Sequence, residues 1–206
     1  MVQLIHQALR RDFRGLSHAV RSLAPGDSER AGAVVGYSEL VTAQLSHHHV
    51  LEDRELWPLL RSKLAGDEEA ENALATAELE HLEIVRMVER VRAGMVDLAS
   101  TGAASAALTD DVAVLTSRLE EHLDAEERKV LPLLERYLTA REYARFERVA
   151  RKETGAKGAA VFFPWILHDA GHEGTAVLRS LPMPMRLLYK RRWRPSYERI
   201  FRAAFP

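Results

Sequence analysis

Two stretches of this chain place a histidine four residues ahead of a glutamate, His48-x3-Glu52 and His122-x3-Glu126. Residues four apart on a helix share a face, about one turn from each other. An imidazole and a carboxylate placed that way can grip one metal ion, or two adjacent ones. A single such pair is usually a weak surface contact. Here the pair recurs inside a longer frame: His48 falls on His122, Glu52 on Glu126, Pro58 on Pro132, and the Leu-Leu pairs that follow coincide. A further histidine precedes each copy, His6 by 42 residues and His81 by 41. The chain therefore reads as a duplicated unit, a helix with one histidine followed by a helix with His-x3-Glu. Two such αα-hairpins make an antiparallel up-down four-helix bundle, in which inward side chains on facing helices build metal sites.

The elements that must position these residues follow from apolar periodicity. A first helix over 2–24 carries Val2, Ile5, Leu9, Phe13, Leu16, Val20 and Leu23 in one stripe, with His6 on its edge and His18 on the opposite side. Pro25-Gly26-Asp27-Ser28 breaks the chain, and Asp27 or Ser28 can cap a second helix over about 28–64. Its inner row is Val34, Tyr37, Val41, Leu45, His48, Glu52, Leu56 and Leu59; His47 projects away from that row and His49 sits just outside it, so both are expected at the surface or behind the ligands. A third helix over about 68–99 turns Leu74, Ala77, His81, Ile84, Val88 and Met95 inward, with Glu78 on the flank. After a loop at about 100–108, Thr109 or Asp110 should open a fourth helix whose row includes Leu119, His122, Glu126, Val130 and Tyr137. Tyr37 and Tyr137 lie 11 residues from His48 and Glu126, about 16 Å along a helix, so both read as core residues. Pro58 and Pro132 are expected to bend or end their helices.

These elements give an all-α fold, a four-helix bundle over 1–138 with a C-terminal extension over 139–206 packed on it. Thr139-Ala140-Arg141-Glu142 is a capping box opening a short helix to about Arg151. A Gly/Lys linker follows at Lys152–Ala159, then short helices broken at Pro164, Gly171, Gly174, Pro182, Pro184 and Pro195. Trp165, Trp193, Tyr197, Phe201 and Phe205 argue that this tail docks, and Phe162-Phe163-Pro164-Trp165 is placed to plug one end of the bundle.

Composition narrows the chemistry. There is no cysteine, which excludes disulfides, thiolate metal sites and cysteine nucleophiles. His and carboxylate ligands suit iron, manganese or zinc. A net charge of −1 gives no argument for nucleic acid or an anionic membrane as partner, and the basic stretch Lys190-Arg191-Arg192-Trp193-Arg194 reads as a solvated face. No run of apolar residues is long enough to span a bilayer. No secretory signal is read at the N-terminus, so a cytoplasmic protein is expected. The candidate ligands His6, His48, Glu52, His81, His122 and Glu126 are too many for one tetrahedral zinc. They suit two six-coordinate ions bridged by Glu52 and Glu126, with water, hydroxide or an oxo group between them.

With these residues in place, the chain resembles the hemerythrin-like family, the HHE cation-binding domains, over about residues 1–137. The string His-His-Val-Leu-Glu-Asp-Arg-Glu-Leu-Trp-Pro at 48–58 is particularly similar to that family's second helix. The resemblance implies a carboxylate-bridged non-haem centre of two iron ions that binds or reacts with O2, NO or peroxide, with peroxidase- or catalase-like or NO-reducing turnover as an enzymatic form. It equally allows an iron- or oxygen-sensing module acting on a partner protein through the extension. The family's oxygen carriers have His-x3-His on the third helix, whereas Val85 stands four after His81. One iron is then expected to be less saturated, with a site open for water or ligand that Glu78, or His168 or His172 from the extension, could fill; this argues against reversible oxygen carriage and for redox turnover with peroxide or NO. A ferritin-like iron oxidase needs Glu-x-x-His on two helices; Glu78-x-x-His81 supplies one, while Leu45 and Leu119 stand at the corresponding positions before His48 and His122. A metal-free helical protein is the remaining alternative.

Overall fold

The computed structural model describes residues 1–206 and is all helical. Four helices surround the recurring His and Glu residues: α1 (Val2–Arg21), α2 (Ser28–Leu51), α4 (Glu68–Thr101) and α5 (Ala106–Lys129). The last three begin where the sequence supplies a cap. Asp27 accepts from the Arg30 amide, Asp67 from Ala70 and Ser105 from Leu108, each satisfying one free N–H of a first turn. Ser105 opens α5 earlier than Thr109, so the connection is shorter than the expected loop over 100–108. Gly102 closes α4 at φ 68°, a left-handed conformation that costs glycine little. The four helices touch in a ring: α1 against α2, α2 against α4, α4 against α5, and α5 against α1.

The second helix is interrupted where Pro58 demands it. After Leu51 comes a single π-helical turn, Glu52–Leu56, then a short α3, Trp57–Arg61, with Pro58 in its first turn. A proline has no N–H to donate and its ring crowds the carbonyl four residues back; wider winding just before it relieves both. The second copy solves the same problem differently. There α5 stops at Lys129, Val130 stays right-handed helical at φ −101° and ψ −46° as a one-residue junction, and α6 (Leu131–Tyr137) begins with Pro132 in its first turn.

The apolar interior falls into two clusters with a polar layer between them. The larger contains Leu9, Phe13, Leu16, Val41, Leu45, Ile84, Leu115 and Leu119; the smaller contains Leu56, Trp57, Leu60, Leu74, Val130 and Leu134. Along α2, α4 and α5 alike, the histidines and glutamates lie between the two. Leu133 and Tyr137 are only partly buried, and the Tyr137 hydroxyl donates to Asp67 at 2.5 Å. Tyr37, by contrast, is fully buried.

Residues 140–206 are more continuously helical than expected. α7 runs from Ala140 to Leu167 and passes through residues 152–159 and Pro164. In place of a linker there is one kink at Gly155, with φ 57° and ψ −175°. The capping box at Thr139 and Glu142 is formed. α8 (Gly171–Ser180), α9 (Met183–Leu188), a second π turn (Tyr189–Trp193) and α10 (Arg194–Ala204) follow. Gly174 lies inside α8, while Pro184 and Pro195 occupy first turns, where a missing N–H is harmless.

These helices are tied to α1 and α2 by a buried polar network. The Trp165 indole donates to Asp12 at 2.7 Å. Arg11 donates to Asp12, to the carbonyls of Trp165 and His168, and to the Tyr197 hydroxyl. Tyr197 and Tyr37 share a hydrogen bond of 2.6 Å. The Phe205 ring lies over Gly15, where an added Cβ would meet it at 3.1 Å. Trp165 is thus built into the larger cluster beside α1.

Candidate metal centre

α1 carries His6, α2 carries His48 and His49, the π turn begins with Glu52, α4 carries His81, and α5 carries His122 and Glu126. All seven side chains are buried. Their nitrogen and oxygen atoms form two groups, each with its atoms within 4.8 Å of one another. One is His6, His48, Glu52 and Glu126; the other is His49, His81 and His122.

The two carboxylates reach across both groups. Glu52 lies 3.4 Å from His48 Nδ1 through one oxygen and 3.9 Å from His81 Nε2 through the other. Glu126 Oε2 lies 3.3 Å from His6 Nε2 and 4.0 Å from His122 Nε2. These separations are long for hydrogen bonds. Bonds of about 2.1 Å to a first-row ion put adjacent ligands about 3 Å apart and opposite ones about 4 Å apart, so the spacing suits ligand atoms around shared ions.

A second ring of carboxylates fixes the imidazoles from outside. His6 Nδ1 meets Glu127 at 2.8 Å, His81 Nδ1 meets Asp53 at 2.7 Å, and His122 Nδ1 meets Glu80 at 2.9 Å. A carboxylate on Nδ1 makes that nitrogen the donor and leaves the Nε2 lone pair facing inward. The order is regular: the acid after each central glutamate, Asp53 or Glu127, reaches the lone histidine of the other repeat. His48 has no such partner, because Ile5 stands where Glu80 stands in the second repeat. Its two nitrogens face Glu52 and His6 Nε2, the latter at 3.2 Å. His49 stacks on His81 with ring centroids 3.9 Å apart, and Trp57 lies on the far side of His81 at 6.4 Å.

The protonation of this layer follows from its burial and crowding. Burial, then the neighbouring imidazoles, pushes His48 and His49 well below the usual histidine range, which leaves them neutral, the form that binds metal. Burial also lowers His122, against the pull of Glu126 and Glu80. Burial, then the Glu126 carboxylate, pushes Glu52 well up. For His6 burial opposes protonation, but Glu126 and Glu127 outweigh it and raise the pKa. His6, and then Arg10, hold Glu127 down at about 2.

The arrangement fits a cation. Nε2 of His49, His81 and His122 and both oxygens of Glu52 and Glu126 are buried without a hydrogen-bond partner. A buried polar atom without a partner costs about 1–3 kcal/mol. Seven of them converging on one layer call for a shared positive charge.

All six sequence-identified candidates meet here, joined by one further histidine. His49, expected at the surface or behind the ligands, is 3% exposed and completes the three-imidazole group. Glu78 does not fill that position: it turns outward and pairs with Arg61 at 2.7 Å. The one Glu-x-x-His of the ferritin-like alternative therefore lacks an inward carboxylate. Val85 is 48% exposed, so the position four after His81 faces away from the centre. His168 packs its ring on Phe201 at 4.3 Å, and His172 is exposed; neither joins the groups. His47 is part-exposed and His18 exposed, and both stay outside.

A family model, the hemerythrin HHE cation binding domain, matches residues 1–134, a span that contains all seven side chains. Neither a curated protein nor a solved structure matches the chain.

Proposed function

The chain belongs to the hemerythrin HHE cation-binding family, and on that premise we propose that it holds two iron ions and binds or reacts with a small ligand, O2, NO or peroxide. In this reading residues 1–138 form an antiparallel up-down four-helix bundle and residues 139–206 an extension packed on it. His6 and His48 would hold one ion and His49, His81 and His122 the other, with Glu52 and Glu126 placed to serve both. Iron held this way supplies electron exchange with a small oxygen- or nitrogen-containing ligand.

The protein's own contribution is positional. Asp53, Glu80 and Glu127 hold three imidazoles with Nε2 inward, so little reorganisation accompanies binding. The two apolar clusters on either side exclude bulk water. With both carboxylates shared, four side chains would hold an ion at His6/His48 and five an ion at His49/His81/His122, so the first position would leave more room for an incoming ligand.

The observation that carries this reading is the pair of buried donor groups that share two carboxylates. Anaerobic reconstitution with ferrous iron, metal analysis and an optical spectrum in air test it. Two irons per chain and an absorption band from an oxygen-bridged pair are expected. One iron per chain, or no band, would overturn it.

A second reading, an iron or oxygen sensor working through the extension, rests on one feature. Arg11 and Asp12, which clamp the extension, sit on the same helix as His6. Limited proteolysis with and without iron tests it: slower cleavage of residues 140–206 in the loaded protein is expected, and an identical pattern rejects it.

A further inference from the structure

The chain's overall charge of −1 averages over two opposed regions. Residues 1–139 hold 15 Lys and Arg against 24 Asp and Glu, while residues 140–206 hold 14 against six. The positive surplus gathers on the last stretch of helix, where α9, the π turn and α10 follow one another without a gap from Met183 to Ala204. One side of that stretch faces the rest of the protein, with Tyr189, Tyr197 and Ala204 buried. The other side is exposed and carries Lys190, Arg191, Arg192, Arg199 and Arg202. None of these five pairs with a carboxylate; the one ion pair within the stretch joins Arg194 to Glu198.

Aliphatic side chains accompany these cations. Met183, Leu187 and Leu188 are 76%, 49% and 46% exposed. Beside them, between this stretch and α7, lies a groove of about 420 Å³ lined by Lys157, Arg192, Ser196, Trp193 and Leu188, with no acidic residue. Unpaired cations and exposed aliphatics on one side of this stretch are a combination that water alone does not reward, while half-buried Trp193, four residues from both Tyr189 and Tyr197, lines the groove at its flank.

We propose that this face docks the protein on the surface of an anionic lipid bilayer. Lys190, Arg191, Arg192, Arg199 and Arg202 meet headgroup phosphates, and the groove between Lys157 and Arg192 receives one of them. Met183, Leu187 and Leu188 enter the boundary between headgroups and acyl chains, the region where amphipathic helices lie and where tryptophan is favoured. Each Lys or Arg near an anionic leaflet gains from its surface potential, and each aliphatic gains by leaving water. A nucleic acid would use the cations and leave the aliphatics exposed, whereas a bilayer uses both. The attachment is peripheral, because no helix is long and apolar enough to cross a membrane. The basic stretch at Lys190–Arg194 thus acquires a partner that the net charge conceals.

The test is sedimentation of the full-length, iron-loaded protein with vesicles. Phosphatidylcholine vesicles should leave it in the supernatant, while vesicles containing phosphatidylglycerol should carry it down, less so as salt is raised. The double variant Arg191→Glu/Arg192→Glu should lose about a hundredfold or more in partitioning, and Leu187→Asp/Leu188→Asp about tenfold or more. These side chains are exposed, so circular dichroism and iron content should match the parent in both variants, which separates this proposal from the metal reading. No binding to anionic vesicles, or unchanged partitioning of the Leu187/Leu188 variant, would overturn it. So would duplex DNA that displaces the protein from vesicles and binds the Leu187/Leu188 variant as well as the parent.

Discussion

The two groups of side chains at the centre descend from one duplicated hairpin, yet they are unequal. The carboxylate scaffold is symmetric: Glu52 and Glu126 occupy matching positions, and the acids after them, Asp53 and Glu127, each brace the lone histidine of the other repeat. The inequality comes from two positions. His49 in the first repeat corresponds to Leu123 in the second, and Ile5 corresponds to Glu80. His49 gives one group a third imidazole, whereas Leu123 joins the larger apolar cluster. Glu80 braces His122, while His48 has no brace. A symmetric frame with two local substitutions is therefore enough to make one group of side chains richer in nitrogen and better braced than the other.

The comparison can be broken most completely at the shared atoms. Glu126→Ala removes the carboxylate that reaches both His6 and His122, so iron should fall from two per chain to less than one by elemental analysis. His49→Leu copies the second repeat into the first and should make the halves alike. We expect the affinity at the altered position to fall by about tenfold or more, toward that of the His6/His48 position, so that chelator competition finds two similar irons in place of a tighter and a weaker one. An unchanged affinity at both positions would remove His49 from the ligand set.

Glu80→Gln keeps His49, His81 and His122 in place but weakens the brace on His122. Chelator competition should show a 10- to 100-fold loss of affinity, a range of about that size for outer partners of metal ligands, confined to one of the two irons. Trp165→Phe touches neither group. It leaves buried Asp12 without the indole N–H and should cost about 1–3 kcal/mol in urea unfolding of the metal-free protein, with iron still at two per chain.

The sequence exposed most of this centre because His6, His48, Glu52, His81, His122 and Glu126 sit on or beside the apolar row of their own helix, where a charged or polar group needs a partner. His49 escaped for a geometric reason. It lies about 100° around the helix from His48, and a single inner row excludes it. A helix in a ring of four has two neighbours and buries an arc of at least about 100°, so consecutive residues can both face inward, toward different helices. Glu78 failed in the opposite way: its spacing before His81 was suitable, but it lies on the solvent side, next to Arg61. The segment over 140–167 breaks at one residue, Gly155, in place of a linker over 152–159: the glycines there weaken helix propensity, while packing of Phe162, Trp165 and Ile166 supports the helical part beyond the kink.

The π turn at Glu52–Leu56 has a bearing on how this chain tolerates changes of length. A π turn holds one residue more than the α turn it replaces, so removing exposed Arg54 would restore ordinary winding and leave the residues beyond it facing nearly as before. Trp57, Leu60 and Leu64 would stay in the smaller cluster, and the indole would stay beside His81. A one-codon deletion, disruptive in most helices, is here absorbed by the turn. Deleting Val130 in the second copy, which has no such surplus residue, would remove a side chain of the smaller cluster and turn Leu134 away from it by about 100°.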